Sequence, residues 1–154
     1  MEKYPDAKII GQPQTFKLFE QFFRHPMTDR YVAVKEGDQL ALGKHTLQFV
    51  KAPMVHWPEV IMSYDLTDHV LFSADAFGQF GTVGNVYADQ VDFEENYLDS
   101  ARRYYVNIVG KYGPQVVNVL KKASGLPIDF ICPLHGFVFR TPATIKYIID
   151  KYLH

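Results

Sequence analysis

Three residues in this chain are of a type, and in a setting, that does chemistry. His56 follows the apolar run "LQFVKAP", Asp75 closes "VLFSAD", and His135 follows "IDFICP". Loops at strand ends are where layered α/β folds build sites, because the sheet holds the backbone still while the loop is free to vary. Two imidazoles and a carboxylate suit iron, zinc or manganese, and the two oxygens of a carboxylate can serve two ions at once. The spacings are long, and a lone histidine near a strand end is more often a hydrogen-bonded structural residue. Residue types alone leave both readings open.

The neighbouring candidates carry less. Trp57 and Glu59 in "HWPE" can orient His56 or shape a pocket, but an aromatic lid and a surface acid is the favoured reading. His25 precedes Pro26 in a helix-ending turn, His45 and His69 fall in hairpin turns, and His154 is the last residue, so all four are read as solvated. Cys132 has no basic neighbour and lies in an apolar strand, where a thiol packs rather than reacts. Tyr97, Tyr104, Tyr105 and Tyr112 fall at spacings that mark a helix core or interface rather than a stacking platform.

These residues must be positioned by elements that the sequence outlines. "AKII" opens a short strand, and residues 13 to 24, with Phe16, Phe19, Phe22 and Phe23 at helical spacing, read as a helix packed on a sheet. "RYVAV", "DQLAL" and "HTLQFV", joined by "KEGD" and "LGKH", predict an antiparallel meander or hairpin. "VIMSYD" and "VLFSAD" flank the turn "LTDH" as a second hairpin, which His56 enters and Asp75 leaves. Residues 93 to 109 read as one helix and residues 114 to 124 as another, with Pro114 in its first turn and Gly125 past its end. A strand, "IDFIC", then a loop, then a helix from Thr141 with Pro142 at its first position complete the order. The expected fold is α/β (α+β): a sheet with helices on one face and the other face uncovered.

Bulk properties bound the function. The 154 residues are 47% hydrophobic and 15% aromatic, enough for one substantial core and one domain. Lys and Arg (16) nearly balance Asp and Glu (17), so no long-range field draws in nucleic acid or anionic lipid. A single cysteine excludes an internal disulfide and suits a reducing, cytoplasmic compartment. No apolar stretch is long enough to cross a bilayer, and "MEKYPDAKII" is charged where a signal peptide needs an apolar core.

The segments "APMVHWPEVIMSYDLTDHVLFSADAFGQFG", "ARRYYVNIVGKYG" and "CPLHGFVFR" resemble, in order, the later part of the metallo-β-lactamase-like domain of flavodiiron proteins, or A-type flavoproteins. The resemblance runs from about "YPDAKII" to the end of the chain. It implies part of an αββα sandwich, mainly its second sheet with the attached helices, around a non-haem diiron centre that reduces dioxygen or nitric oxide. Carried over by position, His56 is a ligand of one iron, His135 of the other, and Asp75 the bridge.

The family's upstream ligand motif, His-x-Glu-x-Asp-His, occurs nowhere in this sequence. Residues 1 to 154 are therefore expected to form a single partial domain without the upstream half and without the flavodoxin-like domain that binds FMN, so FMN is not expected here. Three ligands alone hold a diiron pair weakly, and activity by this chain alone is not expected. The implied partner is a second copy or a second chain that supplies the missing half. Three alternatives stay open: a non-enzymatic self-associating domain, a mononuclear iron or zinc protein using the same three residues, and, ranked lower, a metallo-β-lactamase-like hydrolase.

Overall fold

A five-stranded mixed sheet carries the structure, a computed structural model that describes residues 3 to 24 and 28 to 153. Its order is β3 (Gln39–Leu42), β4 (His45–Lys51), β5 (Ile61–Asp65), β6 (Val70–Phe72) and β7 (Phe130–Cys132). The first four strands form an antiparallel meander, and β7 joins β6 in parallel, with Leu71 opposite Ile131. The parallel step needs a long crossover, which here is helical.

Alternation decides what each face does. Val50, Met62, Tyr64, Leu71 and Ile131 point to one side and are all buried. The helices of the crossover and of the C-terminus cover that side: α2 (Phe93–Asn96), α3 (Leu98–Tyr104), α4 (Gly113–Ala123) and α5 (Pro142–Leu153). Their Leu98, Ala101, Tyr104, Val116, Val119, Ile145 and Ile148 complete one continuous core. The other side carries Phe49, Ile61, Ser63, Phe72 and Cys132; Phe49 is buried and Phe72 is 47% exposed, so this side is partly covered rather than uncovered as expected. This is the helix-backed sheet that the sequence outlines.

Three elements depart from expectation. "RYVAV" does not join the meander: β2 (Tyr31–Ala33) pairs in parallel with β1 (Ile9–Gly11) in a separate two-stranded sheet. Phe16 of α1 (Pro13–Phe23) stacks on Tyr31 at 4.2 Å, so helix and strand close on each other, and the turn at Gly37, with φ +79, starts the meander afresh.

The helix expected over residues 93 to 109 is broken. It bends at Tyr97, widens to a π-turn over Tyr105–Val109 and tightens to a 3-10 turn over Gly110–Tyr112 before α4. Helical periodicity reports which residues face inward and is insensitive to such changes of pitch. The third departure is that β6 ends at Phe72, so Asp75 lies three residues beyond the strand, in a turn, rather than at its end.

The readings of His25 and His154 fall outside the described residues. Among the described residues no helix is long and apolar enough to cross a membrane.

Candidate metal centre

Strand direction brings His56, Asp75 and His135 together. β4 and β6 both run antiparallel to β5, and β7 runs parallel to β6, so β4, β6 and β7 all end at the same edge of the sheet. His56 lies in the loop leaving β4, Asp75 in the loop leaving β6 and His135 in the loop leaving β7.

The loops are tied to one another. Ala74 and Phe77 on either side of Asp75 adopt φ of +52 and +67, conformations a side chain tolerates only when its surroundings enforce them. The enforcing contacts are visible. Ser73 Oγ donates to Ala76 O at 2.8 Å, and Phe77 N–H donates to the buried Tyr152 hydroxyl of α5 at 2.6 Å. Leu134 N–H donates to Ala74 O at 2.8 Å, which joins the Asp75 loop to the His135 loop. Gly136 has φ +94 and lies so close to Gln79 that a β-carbon there would stand 2.7 Å from its Cγ. The peptide bond entering His56 is cis.

The resulting geometry is two-sided. Asp75 Oδ2 lies 3.3 Å from His56 Nε2, and Asp75 Oδ1 lies 3.5 Å from His135 Nε2. Each oxygen of one carboxylate thus faces a different imidazole. Among the described residues, the trio whose ligand atoms all lie within 4.8 Å of one another is His45, Asp65 and Asp68, and the trio at this edge is more widely spread. A spread set divided by a carboxylate fits two ions, one at each oxygen, better than one ion at the centre.

A cavity of about 450 Å³ opens over the trio, lined also by Gln79, Phe80, Tyr104 and Leu134. Sequence reading places Tyr104 in the helix core, and it is buried. Its phenol nevertheless faces Asp75, and burial, followed by the negative charge and hydrogen bonding of that carboxylate, pushes its pKa up. The phenol therefore stays protonated beside the carboxylate. Gln79 is buried with its side-chain nitrogen lacking a partner. Neither residue announces itself by spacing, although the Gly136 that packs on Gln79 follows His135 directly in the sequence.

Trp57 and Glu59 lie at a second opening beside Asp75. Both line a groove of about 320 Å³ that also contains Ile10, Thr15, Ala74, Asp75 and Leu134. Trp57 is exposed, as a lid would be, with Phe22 of α1 edge-on to its ring at 6.5 Å. Glu59 is not the simple surface acid that the sequence suggests, because its Oε2 is buried without a partner. Cys132 is half-buried, and burial pushes its thiol pKa up, which agrees with a packing role.

His45 and His69 are not merely solvated. Their Nδ1 atoms lie 2.7 Å from Asp65 Oδ2 and 3.0 Å from Asp129 Oδ2, at the far edge of the sheet. Hairpin-turn position gave no hint of these partners, which come from distant segments.

Comparison with known proteins shows which family the chain resembles. Residues 1–136 match the model of the ODP family beta lactamase. The chain is 37% identical to a rubredoxin-oxygen oxidoreductase of Megalodesulfovibrio gigas, over 99% of this chain and 38% of that protein. It is 41% identical to an anaerobic nitric oxide reductase flavorubredoxin of Aeromonas hydrophila, over 99% of this chain and 31% of that one. The crystal structure of the flavodiiron protein from Giardia intestinalis superposes with a TM-score of 0.90 at 27% identity, over 98% of this chain and 36% of the other. Rubredoxin oxygen:oxidoreductase from Desulfovibrio gigas superposes with a TM-score of 0.88 at 32% identity, over 95% and 36%. The chain spans about a third of the length of these relatives.

Proposed function

We propose, from the premise that this chain belongs to the ODP family of beta-lactamase-like domains, that it supplies one side of a flavodiiron-type centre for reducing dioxygen or nitric oxide. His56 and His135 would each hold one metal and Asp75 would bridge them. One observation carries the reading: the two oxygens of Asp75 are turned to different imidazoles, at 3.3 and 3.5 Å. The donor set, two neutral nitrogens and one anionic oxygen pair, suits iron and also accepts zinc.

When bound, a diiron pair supplies electrons to a small diatomic substrate. This chain's residues hold and shape the site. The three loops fix the ligands, the cavity over them admits a small molecule, and the protonated Tyr104 phenol offers a donor at the Asp75 side. Phe80 and Leu134 give the cavity an apolar rim. Three protein ligands hold such a pair weakly, so the remaining ligands and the electron donor come from outside these 154 residues, on the same or another polypeptide. The half-buried Asp75 and the buried Oε2 of Glu59 both line the groove beside Trp57, where that added segment would sit. A reducing, cytoplasmic setting suits the free Cys132.

The test is metal content. Co-expression with a polypeptide bearing a His-x-Glu-x-Asp-His segment is expected to raise bound iron towards two per complex, and Asp75→Asn is expected to abolish the gain. Equal iron in both proteins would sink the reading. A second reading, self-association through the exposed part of the outer face, rests on Phe72, Trp57 and Leu134 and is compatible with the first.

A further inference from the structure

The far edge of the sheet holds a second set of metal-type ligands. His45 begins β4, Asp65 ends β5 and Asp68 lies in the turn that follows, so the full length of β5 separates them from Asp75. At a rise of about 3.3 Å per residue that distance is on the order of 15 Å. His45 Nδ1 lies 2.7 Å from Asp65 Oδ2 and 3.8 Å from Asp68 Oδ2, and the ligand atoms of the trio all lie within 4.8 Å of one another.

We propose that His45, Asp65 and Asp68 form a zinc-class divalent cation site that clamps the β3–β4 turn to the β5–β6 turn. A tetrahedral zinc ion with ligands at about 2.0–2.2 Å places neighbouring nitrogen and oxygen ligands roughly 3.3 Å apart. The two His45 distances, 2.7 and 3.8 Å, bracket that value, so small side-chain movements accommodate the ion.

The site is also supported from behind. Asp65 is buried, and its Oδ1 accepts the Thr67 N–H at 2.9 Å, which fixes the carboxylate so that Oδ2 points at His45. Thr67 Oγ1 donates to Lys44 O at 3.1 Å and Leu66 N–H to Thr46 O at 2.9 Å, so the two turns that carry the ligands are already stapled.

A structural histidine–aspartate pair needs one carboxylate. Here a second one approaches the same ring nitrogen, and two carboxylates around one imidazole leave an excess negative charge that a divalent cation balances. His45 and Asp68 are well exposed, so the ion enters from solvent and keeps water in its open positions. The donor set is one borderline nitrogen and two hard oxygens, which favours zinc over soft ions such as copper(I).

Calorimetric titration of the full chain with zinc chloride tests the site independently of the Asp75 centre. In an Asp75→Asn background, one zinc ion is expected to bind and to raise the melting temperature. Adding Asp68→Asn should weaken that binding at least tenfold, and His45→Gln should do the same. Asp68 is exposed, so its substitution should leave the fold intact, which circular dichroism checks. Absence of zinc binding in the Asp75→Asn protein, or unchanged affinity after Asp68→Asn, would overturn the proposal. Failure here leaves the iron content of the first centre untouched, so the two readings fail separately.

Discussion

At the scale of single residues, the Asp75 loop depends on side chains that never touch a metal. Tyr152→Phe removes the acceptor of the buried Phe77 N–H and leaves that donor unpaired, which costs about 1–3 kcal/mol in denaturant unfolding. The same change frees the loop, so iron content in the completed centre should also fall; a variant with wild-type stability would contradict this account of the loop. Gly136→Ala should cost a similar amount, about 1–3 kcal/mol, because φ +94 and the 2.7 Å approach to Gln79 both oppose a β-carbon. His56, Asp75 and His135 stand out in the sequence as candidates because each is a ligand type just past an apolar strand-like run, and the structure brings the three together. It did not make Tyr104, Gln79 or the buried oxygen of Glu59 legible. Tyr104 sits on an apolar helical stripe, where its hydroxyl is invisible to a periodicity argument, and Gln79 acquires meaning only through a glycine 57 positions away in the chain.

Among elements, the junction before α5 joins the crossover to the C-terminal helix. Arg140 forms a two-pronged ion pair with Asp89 at 3.0–3.3 Å and lies 3.6 Å over the Tyr87 ring. The Arg140 hydrogen bonds hold the Asp89 carboxyl below its ordinary value. A depressed carboxylate stabilises the fold above its unfolded pKa, near 4, and the contribution disappears as pH falls through the folded value. Asp89→Asn should therefore melt below the wild type at pH 7, and the gap should close towards pH 2; a gap that stays constant with pH would refute the pair's role. Thr141→Ala removes the oxygen that accepts the Thr144 N–H at 3.2 Å, and should cost about 1 kcal/mol as an N-cap loss. That cap and Pro142 were readable in "RTPAT", because capping is local chemistry. The π-turn over Tyr105–Val109 and the pairing of β2 with β1 were not, since pitch and partner choice are set by what packs from elsewhere in the chain.

For the whole molecule, the question is what covers the outer face of the sheet. Phe72 is exposed in the row Phe49–Ser63–Phe72–Cys132, and Trp57 and Leu134 are exposed around the groove that reaches Asp75. Ile10 and Ile61 extend the same groove. A single exposed phenylalanine is ordinary, but several large apolar side chains exposed on one side of the molecule suit an interface. The chain alone is therefore expected to self-associate through this face, and light scattering should show a mass that rises with concentration. Phe72→Lys, which puts a charge in the middle of the face without touching the core, should shift the mass towards the monomer while leaving the circular dichroism unchanged. Co-expression with a polypeptide bearing the His-x-Glu-x-Asp-His segment should replace the concentration-dependent mass with that of a fixed complex of the two chains, if the segment reaches Asp75 across this groove. Self-association and completion of the metal centre then compete for one surface, and a mass that ignores both Phe72→Lys and the added polypeptide would break the link between them.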